Sequence, residues 1–176
     1  MKKVSFVIKI AFPYLVLFIT VLVVITIATI SYFEKFTFES AKNELLTETN
    51  LAGDQILQAG SIDDPVRIQE LAIRLAKTTG DRITIIRPDG IVIGESAKDP
   101  NQLENHLSRP EIQSALRGQA NTVIRTSTTI HERLLYAAAP VISNGEIIAV
   151  VRLAKTIAAV DNTLSRYRMF VLLIAS

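Results

Sequence analysis

Two arginines stand where strand periodicity asks for apolar side chains. Arg125 and Arg152 each interrupt a run of β-branched and aliphatic residues. A charge on a sheet face does not stay buried alone. Either both arginines point to solvent or pair within the protein, or they hold an anion in a cleft. Tyr136, on the strand between them in sequence, supplies either a core ring or a hydroxyl to that cleft. Ala137, Ala138 and Ala139 follow it. They allow close packing of a helix or leave space for a ligand.

Other chemistry is sparse. His106 and His131 are the only histidines, and cysteine is absent. Two histidines without helical i, i+4 spacing give no metal signature. The lack of cysteine excludes disulfides and thiolate chemistry. His106 reads as a residue facing free carbonyls at a helix end, and His131 as a solvated turn residue. Imidazole titrates near pH ~6.5, so either could sense pH. Ser96, Ser108 and Ser127 lack the Gly-x-Ser-x-Gly context of an activated nucleophile. Ser108 suits an N-cap, with Glu111 three residues on as in a capping box. Glu104 and Glu111 flank no evident cleft, and capping or surface roles suffice for them. No phosphate-binding loop or dinucleotide fingerprint is present. No catalytic residue, metal or cofactor is therefore expected in this segment. An enzyme acting through His106 or His131 is the remaining catalytic alternative.

The elements that position these residues follow from periodicity. Residues 10–33 carry no charge and lie between Lys9 and Glu34. About 20 apolar helical residues cross a bilayer core. The run is too long for the apolar part of a cleaved leader. Pro13 sits near its start, where a missing donor is tolerable. Residues 34–57 continue as helix with Ala41, Leu45, Ala52 and Ile56 on one stripe and Phe36 ahead of them. That stripe packs on its own domain or on a second copy. Asp64-Pro65 starts a helix that Gly80 stops, with Ile68, Leu71, Ala72 and Leu75 on one face. Two β-branched runs flank Pro88-Asp89-Gly90, a hairpin signal. Asp99-Pro100, with Gln102 three residues on, starts one helix in a capping-box pattern, and residues 110–117 form a second, short helix. Strands are expected at 121–129, 134–142 and 146–153, with Asn144-Gly145 turning the last pair. From Ala154 the spacing of Ile157, Val160, Leu164, Tyr167 and Val171 becomes helical. The apolar stretch 169–175 reads as the start of a second span cut short at Ser176.

Charge sets the orientation. Lys2, Lys3 and Lys9 precede the first span with no acidic residue among them, which keeps the N-terminus cytoplasmic. The remaining 16 basic residues face 17 acidic ones, so the rest of the chain is near −1. No basic face is implied, which argues against nucleic acid. The expected organisation is a cytoplasmic tail 1–9, a span 10–33, an outer domain 34–168 and a second span from 169.

The element order resembles an extracytoplasmic PAS-like (Cache-type) sensor domain. The stretches Arg87-Pro-Asp-Gly90, Asn105-His-Leu-Ser-Arg-Pro-Glu-Ile112, Ala115-Leu116-x-Gly118, Arg125-x-Ser127, Tyr136-x-Ala138-x-Pro140-Val141 and Val150-Val-Arg152 together resemble the sensor region of phosphate-regulon-type sensor histidine kinases. The resemblance covers about the whole chain. It implies an α+β fold in which a five-stranded antiparallel sheet lies between a long N-terminal helix and a C-terminal helix entering the membrane. It also implies a homodimer in a bacterial membrane, a cytoplasmic kinase part using ATP and Mg, and a cognate response regulator. Related sensors often work through a partner membrane protein. Asn105, His106, Arg109 and Pro110 fall in the shared loop, where a forked guanidinium at Arg109 could tie the loop to the sheet. The same sensor could instead serve a chemotaxis transducer or a cyclic-dinucleotide enzyme.

Overall fold

The computed structural model describes residues 6–60, 62–126 and 133–157. His131, Ser127, the Lys2-Lys3 flank and everything expected beyond residue 157, including the second span, lie outside them. The fold is α+β. Helix α1 (Phe6–Ala59) is followed by α2 (Pro65–Thr79), strands β1 (Arg82–Ile86) and β2 (Val92–Glu95), α3 (Pro110–Ala115), and strands β3 (Asn121–Thr126), β4 (Arg133–Ser143) and β5 (Glu146–Thr156).

The N-terminal part of α1 has the length and composition to cross a membrane. Its large side chains are exposed, as at Phe12, Phe18 and Tyr32. A core helix would have buried them. Because the helix already runs from Phe6, Pro13 is interior rather than in the first turn. Its ring nitrogen cannot donate to the Lys9 carbonyl.

Residues Glu39–Ala159 form a compact unit. Its five strands run in the order β2-β1-β5-β4-β3, with each neighbouring pair antiparallel. One face of the sheet carries Ile83, Ile85, Val151, Leu153, Leu135, Ala137 and Val141, all buried. The C-terminal part of α1 lies on this face through Leu45, Thr49, Ala52 and Ile56. A Cβ on Gly53 would meet Val151 at 3.5 Å and Val141 at 3.8 Å, which fixes the contact. The stripe therefore packs on its own sheet. Phe36 is exposed and takes no part in it.

Helix α2 is capped as its sequence dictates. Asp64 accepts from the Val66 and Arg67 amides, both at 3.1 Å, and Gly80 closes the helix at φ 78°. Its buried face is Ile68, Leu71, Ala72 and Leu75. Gln69 then covers the edge of the sheet: its amide donates to the Glu95 carbonyl at 2.8 Å and accepts from the Glu95 N–H at 2.9 Å. Edge strands left open invite unwanted pairing, and this contact occupies one.

Two boundaries differ from the periodic reading. Strand β5 runs on to Thr156, because Arg82 and Tyr136 both pair with Ala154 and Leu134 pairs with Thr156. Available partners on both sides outweigh the helical spacing that begins at Ala154. Helix α3 is entered at Arg109, which makes no side-chain capping bond, so Ser108 is not the cap. The Asn144-Gly145 turn forms as expected, with both residues at positive φ, 52° and 83°.

Candidate functional site

The other face of the sheet carries the charges. Register places Arg82, Thr84, Arg152, Ala154, Tyr136, Ala138 and Arg125 on it, since directly opposed residues share a face. Near one end this face is apolar: Ile86, Val92, Ala138 and Val150 pack against Ile112 and Ala115 of α3. Towards the other end it is a network of ions that draws on every strand.

At the β2 edge, Glu95 is fully buried. It accepts both arms of Arg82, at 2.9 and 3.1 Å, the Thr84 hydroxyl at 2.9 Å and the Ala97 amide at 3.0 Å. The Thr84 hydroxyl in turn accepts from Arg152 Nη2 at 3.1 Å. Arg152, 4% exposed, also faces Glu111 of α3 at 3.7 Å. Arg125 faces the same Glu111 oxygen at 3.7 Å. The Tyr136 ring sits between the two, with the Arg125 guanidinium carbon 4.7 Å and that of Arg152 5.1 Å from its centroid. Burial lowers the Arg152 guanidinium to about 10, with Glu111 opposing the shift, and it stays charged at neutral pH.

Sequence reasoning brought Arg125, Tyr136 and Arg152 forward, and the structure gathers them. It corrects the reading of Glu111. That side chain is fully buried between the two arginines rather than capping or at the surface. Glu95, Thr84 and Arg82 were missed. Their signal was Arg82-x-Thr84 alternating with Ile83 and Ile85, a polar face on a strand whose other face is core.

The loop over this network is pinned to the hairpin turn. The Asn105 amide donates to the Asp89 carbonyl at 2.8 Å, the His106 N–H donates to the Gly90 carbonyl at 2.8 Å, and the Asn105 side-chain oxygen accepts from the Leu107 N–H at 2.8 Å. Gly90 has φ 86°, and a Cβ there would stand 2.2 Å from that oxygen. Pro-Asp-Gly is therefore a socket for Asn105 as well as a turn. Pro110 begins α3, where its missing N–H costs little. Arg109 pairs with Glu104 within its own loop. Among the described residues none of its side-chain hydrogen bonds reaches the sheet, and its Nε is left without one.

Between loop and sheet is a cavity of about 390 Å³, lined by residues that include Arg82, Lys98, His106, Arg109, Arg125, Tyr136 and Arg152. His106 is buried rather than at an open helix end. Burial first, then the Arg152 and Arg109 charges, push its imidazole down to about 4, so it is neutral at pH 7. Five buried polar atoms on four residues here have no hydrogen bond among the described residues: Arg152 Nε, Arg109 Nε and His106 Nδ1 of the lining, and both carboxylate oxygens of Glu111, which faces Arg125 and Arg152 but does not itself line the cavity. Buried polar groups are normally satisfied. A larger groove of about 820 Å³ follows β2 past Pro65, Gln69 and Asp99. Among the described residues it gathers no buried polar atoms without hydrogen bonds, so the smaller cavity is the better candidate site.

The fold is PAS-like, and solved sensor domains share it. The sensor domain of the Vibrio cholerae histidine kinase DctB is similar, with TM-score 0.58 and 18% identity over 78% of this chain and 55% of that one. The Escherichia coli DcuS sensor domain has TM-score 0.60 and 17% identity over 74% of this chain and 98% of that one. The isoleucine-bound sensory domain of the Campylobacter jejuni chemoreceptor Tlp3 has TM-score 0.60 and 13% identity, over 77% and 60% respectively. The chain thus spans little more than half of the DctB and Tlp3 domains it matches. No protein-family model matches the chain, and no curated protein matches it by sequence.

Proposed function

We propose that the chain is the extracytoplasmic sensing and membrane-signalling module of a two-component sensor histidine kinase. In this reading residues 10–33 anchor it in a bacterial cell membrane with the N-terminus in the cytoplasm. The sheet domain lies outside, and the protein works as a homodimer. The kinase part of a longer protein, using ATP and Mg, would pass the signal to its response regulator. A membrane partner protein is a further route for the stimulus.

The observation that supports sensing is the cavity bordered by Arg125, Tyr136 and Arg152. Three guanidiniums, from Arg82, Arg125 and Arg152, meet two carboxylates, Glu95 and Glu111. The surplus charge favours an anion. His106 lines the cavity with a neutral imidazole whose Nδ1 has no hydrogen bond among the described residues, which suits a hydrogen-bond donor on the same molecule. The ligand class is therefore a small anion that also donates, such as a hydroxy- or amino-carboxylate or hydrogen phosphate. Helix α1 runs from Phe6 to Ala59, so the anchor and the sheet domain share one element through which a shift could pass. Coupling of this kind is typically about 1–3 kcal/mol.

Calorimetry of the full chain in lipid nanodiscs tests the site, with malate, serine and inorganic phosphate as probes. Saturable binding of at least one is expected, weakened tenfold or more in Arg125→Met. Absence of binding by all three, or equal affinity in the variant, overturns the ligand reading. The output is tested separately, on the coding sequence downstream of Ser176. A phospho-accepting histidine with an ATP-binding domain is expected. The alternative is a chemotaxis transducer, the class to which Tlp3 belongs, or a cyclic-dinucleotide enzyme. A long coiled coil supports the transducer, and a cyclase motif supports the enzyme.

A further inference from the structure

A second cluster of charges lies on the opposite face of the sheet, away from the cavity. Lys155, near the end of β5, places its ammonium 3.4 Å from Glu44, 3.6 Å from Glu48 and 3.5 Å from Asp81. Glu44 and Glu48 belong to α1, and Asp81 to the turn between α2 and β1. One cation thus joins three segments of the fold. The two inner carboxylates are poorly satisfied. Glu48 Oε2 and Asp81 Oδ2 are both buried and have no hydrogen bond among the described residues. With every carboxyl ionised, three negative charges surround one positive charge. Two carboxylates this close repel each other, and a proton between them removes the repulsion.

We propose that Asp81, Glu48, Glu44 and Lys155 form a proton-operated clip that fastens the outer half of α1 to β1 and β5. The clip closes when Asp81 holds a proton and shares it with Glu48, and loosens when that proton leaves. Asp81 is the group that titrates. Burial, opposed by Lys155 and reinforced by Glu48, raises its carboxyl from 3.8 to about 6. Burial lowers the Lys155 ammonium, but Asp81, Glu48 and Glu44 more than offset this and raise it, so lysine stays charged throughout.

Other charged groups nearby do not take over this role. Lys77 in the last turn of α2 is exposed, and Arg82 turns to the other face to bind Glu95. Arg133 of β4 shares the Lys155 face by register and is exposed. The Asp81 N–H is held by the Thr79 hydroxyl at 3.2 Å.

The sign follows from linkage. Between pH 3.8 and about 6 the folded protein binds the Asp81 proton more readily than the unfolded chain. The clip therefore strengthens as pH falls through about 6 and weakens as pH rises through it. This places the switch in the range of a mildly acidified exterior. It also involves β5, which carries Arg152 towards the cavity and, three residues later, Lys155 towards α1. The inference goes beyond ligand sensing and does not need the cavity to be occupied.

The absence of native cysteine makes site-directed spin labelling direct. Nitroxides at Asn50→Cys on α1 and Thr78→Cys on α2, both exposed positions, report whether α1 is fastened. In full chain reconstituted in nanodiscs, the distance distribution is expected to be narrow at pH 5 and broad at pH 7.5, with its midpoint near 6. Asp81→Asn should hold it narrow at both. Should that variant fail to fold, Glu48→Gln carries the test, moving the midpoint down by about one pH unit. Equal distributions at the two pH values, a broad Asp81→Asn distribution, or a midpoint of 6 retained in either variant overturns the proposal.

Discussion

At the residue scale, the two buried carboxylates of the cavity face do different work. Glu95 is held by a forked arginine, a threonine hydroxyl and a backbone amide. Glu111 is equally buried, yet its contacts to Arg125 and Arg152 are 3.7 Å long and it accepts no hydrogen bond among the described residues. Breaking a well-made buried pair costs about 3–5 kcal/mol, so Glu95→Gln, which keeps the volume but loses the fork, should cost about 3 kcal/mol. Glu111→Gln should cost about 1 kcal/mol or less, since little geometry is lost. Urea denaturation of the full chain in detergent checks the order, and a Glu111 variant as damaging as the Glu95 one would make Glu111 a structural ion. Arg125, Tyr136 and Arg152 could be read from the sequence because a charge or a polar ring breaks strand alternation visibly. Glu95 and Glu111 could not. Glu95 meets Arg82 across the β1-β2 hairpin, whose cross-strand register no local pattern fixes, and the Glu111 partners on β3 and β5 are brought to either side of β4 only by the order β2-β1-β5-β4-β3.

At the element scale, periodicity gave the helices and strands because each buries one face. The α2 stripe and the Pro-Asp-Gly and Asn-Gly turns were legible for that reason. Longer-range choices were not. Strand β5 extends because β1 and β4 offer it partners, and α1 spends Leu45 and Ile56 on its own sheet. The hairpin turn also has a second duty that no local pattern reveals, since it seats the loop that covers the cavity. Gly90→Ala is the sharpest probe of it. The new methyl would meet Asn105 Oδ1 at 2.2 Å and Leu107 Cβ at 2.6 Å, at a positive φ that a side chain resists. A loss of about 2–3 kcal/mol is expected, together with faster amide exchange across residues 103–109. Asn105→Ala should reproduce the faster exchange at a smaller cost, about 1 kcal/mol. If Gly90→Ala melts like the parent protein and leaves exchange in the loop unchanged, the turn does not seat the loop.

At the scale of the whole molecule, the reading depends on which side of a bilayer the sheet domain occupies. The apolar part of α1 leaves its large side chains exposed, as at Leu15, Leu17 and Ile25, and exposed apolar surface of that extent needs lipid or a partner. Lysines 2, 3 and 9 stand on one flank of the apolar run and Glu34 on the other. The positive-inside tendency keeps the flank richer in lysine in the cytoplasm, and the proposed function accordingly has the sheet domain outside. An outer location is also what a proton clip with a midpoint near 6 requires, because cytoplasmic pH is buffered and the exterior is not. Single cysteines can decide this in a chain that has none of its own. Lys98→Cys, exposed at the rim of the cavity, should react with a membrane-impermeant maleimide on intact cells. Lys2→Cys should react only after the cells are opened. Equal labelling of both on intact cells, or labelling of Lys2→Cys alone, would put the sheet on the wrong side for sensing.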